Sequence, residues 1–262
     1  MIIVSSVPNR QKAGRIPMSK LITIFGSPGS GKTLLTMALA SQYAQKKENV
    51  IIVSSDKIVP NLRVLLPSVQ TDKTRSMGAL LLQSGLTQKQ IIPRLVFHPN
   101  SDYLACMALA PGDTPISYPP LFEPANVMEL LNVLSGLADV VLVDGTSNPV
   151  TDSVTLTALE TSEHVICNLT PDRKGLEYLN AILPVLRDEK YKTGKHIRIL
   201  SPVKAISPVK ELLGMVEDVR FLLPYSAEAE ERMLSGKLFQ GFTRRPGLVY
   251  EQRVRELLEE LK

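Results

Sequence analysis

Short apolar runs rich in β-branched residues recur along the chain at 21–25 (LITIF), 50–55 (VIIVSS), 94–98 (RLVFH), 140–144 (VVLVD), 164–169 (HVICNL), 196–200 (HIRIL) and 219–223 (VRFLL). Between them lie segments with apolar residues at helical spacing, at 32–47, 74–84, 125–137, 152–161, 172–188, 207–214, 226–235 and 248–261. Several of these begin after Asp, Ser or Thr, as capped helices do. Strands that lack polar alternation and are each followed by a helix predict a parallel sheet buried on both faces. The expected fold is therefore α/β, an open doubly wound sheet of about seven strands with helices on both sides. Residues 99–125 are rich in proline and weakly periodic, and are expected to form an excursion over the sheet. Residues 1–18 hold polar and basic groups with Pro8 and Pro17, and Met18 stands just before the first strand. They are expected to be a tail, with 19–262 as a single domain, and either Met1 or Met18 could be the start.

The first strand runs into GSPGSGKT, residues 26–33. Gly26, Gly31, Lys32 and Thr33 fit G-x-x-x-x-G-K-[ST], between an apolar strand and a helix, the context the motif requires. Glycines let backbone N–H groups approach phosphate oxygens without a Cβ clash, and the helix N-terminus adds positive potential. The predicted cradle comprises Gly26, Ser27, Pro28, Gly29, Ser30, Gly31, Lys32, Thr33 and Leu34. Lys32 is expected to reach the β/γ-phosphates, and the Thr33 hydroxyl to ligate magnesium.

A phosphate cradle needs a carboxylate to hold that magnesium. ADVVLVDGTSN ends a strand on Asp144, at the C-terminal rim where open α/β sheets bind ligands. Alone, Asp144 could equally cap the next helix, but the loop upstream favours magnesium. Asp56 ends the 50–55 strand and is the candidate catalytic base or water-positioning group, against the alternative of a solvated turn aspartate. His98, His164 and His196 show no ligand spacing and read as structural.

Composition narrows the classes. The chain has 262 residues with 44% hydrophobic, and no apolar run reaches the length of a membrane span, which predicts a soluble protein. The N-terminus carries no secretory pattern, so a cytoplasmic address is expected. Cys106 and Cys167 lie in separate apolar segments and read as buried thiols. A net charge of +4 supports DNA as a partner only weakly, and with no Trp and 5% aromatics the chain offers few base-stacking platforms. The 248–261 helix carries Glu251, Glu256, Glu259 and Glu260 opposite Val249, Val254, Leu257, Leu258 and Leu261, a pattern expected to pack on the domain rather than enter a membrane.

In motif order the chain resembles the ParA/MinD-like P-loop ATPases across residues 20 to 240. GSPGSGKTLLTMALASQYAQKKENVIIVSSD is similar to their loop, helix and second strand. DKIVPNL sits where they place a first switch, with Asp56 and Asn61 in matching positions. DVVLVDGTSN resembles the second-switch strand ending in the magnesium-linked aspartate. HVICNLTPDRKGLEYL and FLLPYSAEAEERMLSGKLF resemble two later strand–helix units, the second implying that Pro224 lies near the nucleotide base. The resemblance implies ATP with Mg2+, a nucleotide-dependent homodimer and a protein cargo or regulator. The chain departs from it at Ser27, where most members carry a second lysine that reaches across the dimer, and at Ser54, where another aspartate is common. Three functions follow as expectations: a slow ATPase switch that positions a cargo, an ATP-sensing scaffold that does not hydrolyse, and a small-molecule kinase or ligase.

Overall fold

A computed structural model describes residues 19–262; the proposed tail at 1–18 lies outside them. Eight strands form one sheet in the order β3-β4-β2-β5-β1-β6-β7-β8. They are β1 (Lys20–Gly26), β2 (Val50–Ser54), β3 (Val96–Phe97), β4 (Leu104–Ala108), β5 (Val140–Asp144), β6 (His164–Leu169), β7 (Ile197–Val203) and β8 (Val219–Pro224). All pairings are parallel except β3 with β4, which is antiparallel at the edge.

Alternation within each strand feeds two cores. In β2, Val50 and Ile52 pack beneath α1 (Lys32–Gln45) and α10 (Arg245–Glu260), while Ile51 and Val53 meet α5 (Pro124–Ser135) on the other face. In β5, Val140 and Leu142 share the first core with β2, and Val141 and Val143 share the second. These strands look uniformly apolar because both faces are covered.

Three expectations change. The 99–125 segment is not wholly an excursion: Leu104–Ala108 is fully buried and pairs with β2 inside the sheet. Its sequence, LACMA, lacks β-branched residues, so the strand signal is weak beside the flanking prolines. The 94–98 strand shortens to two residues. The 74–84 helix reduces to a 3-10 turn at Lys73–Arg75 and one turn, α3 (Gly78–Leu81). Sequence reading also passed over α2 (Leu62–Leu65) and α4 (Gln88–Ile91), each four residues long. The remaining helices, α6 (Ser153–Thr161), α7 (Arg173–Ile182), α8 (Val209–Leu213) and α9 (Ala227–Leu234), fall inside the predicted spans.

Helix α10 packs on the molecule as predicted, with Tyr250, Val254, Leu257 and Leu258 buried, although Val249 is exposed. No helix among the described residues is long and apolar enough to cross a membrane. The chain winds in opposite directions on the two sides of β1, which lies between β5 and β6. The crevice at the C-terminal ends of these strands is where such sheets bind ligands.

Candidate phosphate-binding site

Register brings the site together before any side chain is considered. Asp144 at the end of β5 lies level with Ile24 of β1 and with Ser54 of β2, and Gly26 lies level with Asn168 of β6. The glycine-rich loop therefore leaves the sheet directly above the β5 carboxylate.

The loop is held from β6. Gly26 has φ +147°, and a Cβ there would stand 1.8 Å from the Asn168 carbonyl oxygen. The Ser27 N–H donates to that same oxygen (3.0 Å), and the Asn168 amide donates to the Ser30 carbonyl (2.8 Å). The Ser27 hydroxyl accepts from the Thr170 N–H (2.8 Å), and Thr170 in turn donates to Asp172, the N-cap of α7. Gly29 and Gly31 adopt φ +75° and +78°, which folds the loop back onto α1. Gly31 provides no side-chain cap, and no acidic residue occupies the first turn of α1. The first-turn N–H groups have no acceptor within the helix, a feature that helix starts in general can offer to an anion.

Lys32 and Thr33 then point to opposite jobs. The Lys32 ammonium donates to the Ser27 carbonyl (3.0 Å) and to the Ser147 hydroxyl (2.7 Å), spanning from the loop to the segment after β5. Burial lowers its pKa, while the charges of Asp144 and Asp56 act to raise it. The Thr33 hydroxyl donates to Asp144 Oδ2 (2.8 Å), Thr36 donates to Oδ1 (3.4 Å), and the Asn61 amide donates to Oδ2 (3.4 Å) and to the Ser54 hydroxyl (3.1 Å). Asp144 is 3% exposed, and burial raises its pKa to about 6 against the pull of Thr33, Lys32 and Thr36.

A buried carboxylate beside a threonine hydroxyl suits a hard divalent cation. Among the described residues no cluster of three His, Cys, Asp or Glu side chains could hold a metal by itself. Thr33 and Asp144 therefore fit magnesium as part of a shell completed by ligand oxygens and water, the usual arrangement at phosphate sites.

Asp56 lies at the rim of the same cavity, which measures about 340 Å³ and is also lined by Gly29, Gly31, Lys32, Thr33, Leu34, Asn61 and Ser147. Its Oδ1 accepts from the N–H groups of Ile58 and Val59 (2.8 and 2.9 Å), so it shapes the turn that follows β2. An adjoining cavity of about 410 Å³ shares Gly29, Gly31 and Leu34, and Pro224 lines it together with Ser201, Tyr225 and Met233.

Of the predicted loop residues, Ser27 and Ser30 are buried against β6, and Pro28 is exposed and lines neither cavity. Sequence reasoning missed Ser147, Thr36, Asn168 and Thr170. Thr36 could have been found, because it lies one turn along α1 from Lys32 and Thr33 and so shares their face. The other three depend on contacts between segments more than 100 residues apart.

No protein-family model and no curated protein matches the chain. Solved structures do. A ParA family ATPase from Chlorobium tepidum superposes with a TM-score of 0.72 at 16% identity, covering 93% of this chain and 99% of that one. The septum site-determining protein MinD from Pyrococcus horikoshii, in complex with Mg-ADP, superposes at 0.69 with 20% identity, over 94% and 96%. A putative plasmid partition protein from Borrelia burgdorferi bound to AMPPNP superposes at 0.64 with 16% identity, over 92% and 99%. At these identities the likeness is one of fold. Sheet, loop and site elements together give this chain the fold of the ParA/MinD-like P-loop ATPases.

Proposed function

We propose that the protein binds ATP with Mg2+ and hydrolyses it slowly, as a switch in which the segments after β2 and β5 report the state of the nucleotide. Residues 19–262 form the nucleotide-binding domain in this reading. The observation that carries it is the Thr33–Asp144 hydrogen bond beneath an anion-accepting loop, with Lys32 poised over the same cavity. Structurally similar proteins that bind Mg-ADP or AMPPNP add support.

The chemistry follows from the side chains. Thr33 and Asp144 would hold the magnesium, which would supply positive charge against the phosphate. Lys32 exchanges its contacts to Ser27 and Ser147 for phosphate oxygens, which frees the Ser147 segment to follow the nucleotide. Asn61 hydrogen-bonds the Asp144 carboxylate, so any shift of that carboxylate passes into α2 and the turn formed by Asp56. Asp56 positions the attacking water with its remaining oxygen. Loops ordered by a terminal phosphate and released on hydrolysis are a known form of conformational switch.

In this role the protein works in the cytoplasm as a nucleotide-dependent homodimer that engages a protein cargo or regulator. DNA as a cargo rests on the +4 charge alone. A non-hydrolysing ATP-sensing scaffold is the second reading. It is favoured by Ser27, whose hydroxyl is committed to Thr170, and by Asp56, whose Oδ1 is committed to its own turn. Phosphate release measured for the wild type, Lys32→Ala and Asp144→Ala tests the first reading. Turnover that falls at least tenfold in both variants is expected, and unchanged turnover in both removes the site assignment. Tight ATP binding without any turnover selects the scaffold.

A further inference from the structure

The nucleotide site proposed above is short of positive charge. Its two adjoining cavities are lined by three carboxylates, Asp56, Asp144 and Glu230, and by two cations, Lys32 and Arg63. Lys32 belongs to the phosphate loop. Lys32 shares its cavity with Asp56 and Asp144, and Arg63 lines the adjoining one with Glu230, so without Arg63 the two together would hold one cation against three acids. Magnesium offsets part of this, but a magnesium–nucleoside triphosphate is itself an anion.

Arg63 is exposed and forms no hydrogen bond or ion pair with any other described residue, although Glu230 lines the same cavity and is held by the Tyr225 hydroxyl (2.9 Å). Its mounting is firm. Arg63 sits on α2, whose Leu62 and Leu65 are buried in the core and whose N-cap, Asn61, touches both Ser54 and Asp144. A flexible cationic head is thus carried by the segment that senses the magnesium carboxylate. The cavity it lines includes Gly29, Gly31 and Leu34, the residues shared with the phosphate cradle. A guanidinium offers planar paired donors that match phosphate oxygens, which a lysine at the same place does not reproduce.

We propose that Arg63 is a second cationic ligand of the nucleotide's phosphate chain, supplied in cis from the helix after the first switch turn. The inference rests on the nucleotide reading, and the experiment separates the two. Calorimetric affinities for ATP, ADP and AMP with magnesium are measured for the wild type, Arg63→Ala, Arg63→Lys and Lys32→Ala. Arg63→Ala is expected to weaken ATP by about tenfold or more and AMP by clearly less, with Arg63→Lys recovering only part. Arg63→Gln serves the same purpose if the alanine variant loses its melting transition.

Unchanged ATP affinity in the alanine and glutamine variants, with Lys32→Ala still defective, overturns the role of Arg63 and leaves the site intact. Equal loss for all three nucleotides moves Arg63 to the base or ribose and overturns the phosphate assignment. A wild type that binds none of them, or a Lys32→Ala variant that binds like it, overturns both readings.

Discussion

Gly26 carries the tightest steric requirement in the site, because any Cβ would overlap the Asn168 carbonyl at 1.8 Å. The strand must pass β6 at that distance for the loop to start where it does. Gly26→Ala is expected to destabilise the fold by about 3 kcal/mol or more, read from urea unfolding, since the clash is with backbone that cannot move aside alone. Ser27 is a milder case. Removing its hydroxyl leaves the Thr170 N–H without its acceptor, so Ser27→Ala should cost about 1–2 kcal/mol by the same measurement. A cost near zero would show that the tie between the loop and the α7 cap is dispensable. Both residues were visible in the sequence as loop positions, but their dependence on Asn168 and Thr170 was not, because it arises only when β6 lies beside β1.

At the scale of elements, the segment from α9 to α10 depends on one buried acid. Glu228 is 2% exposed and accepts hydrogen bonds from the N–H groups of Thr243 and Arg244, the Thr243 hydroxyl and the Arg232 guanidinium. Burial alone would raise its pKa, but the backbone and side-chain donors outweigh it and hold the group down from 4.5 to about 2. A depressed carboxylate pKa stabilises the fold fully above the unfolded value and loses that contribution as pH falls through the folded one. The stability gap between the wild type and Glu228→Gln, taken from denaturant midpoints, should therefore be constant above about pH 5 and shrink toward pH 2. A gap independent of pH would show that Glu228 acts through shape alone.

The same scale shows what patterning can and cannot reveal. Strands β1, β2, β5 and β6 were legible from continuous β-branched runs, and they are the strands that carry or border the site. Strand β4 was hidden because Leu, Ala, Cys and Met carry no β signal, and its place is fixed by pairing with β2 rather than by propensity. Lys32, Thr33 and Asp144 were legible as a motif and a strand end, whereas Ser147 entered only through its contact with Lys32.

For the whole molecule, the turn after β2 is tied to the loop after β4. Lys57 donates to the carbonyls of Pro119 and Pro120 (both 2.7 Å) and lies over the Phe122 ring, one residue from Asp56. Nucleotide binding should therefore slow amide exchange in 56–65 and 111–122 together; protection confined to 56–65 would break that link. Exposed Ile58 and Val59 lie on the same turn, and the mass in solution is expected to double with ATP and magnesium but not with ADP. The central claim, that this loop and carboxylate hold a magnesium nucleotide, is tested most directly by calorimetric titration of ATP with magnesium into the wild type, Lys32→Ala and Asp144→Ala. Saturable one-to-one binding that is lost with Lys32→Ala and loses its magnesium dependence with Asp144→Ala is predicted. Binding of equal strength in all three proteins, or none in the wild type, would contradict it.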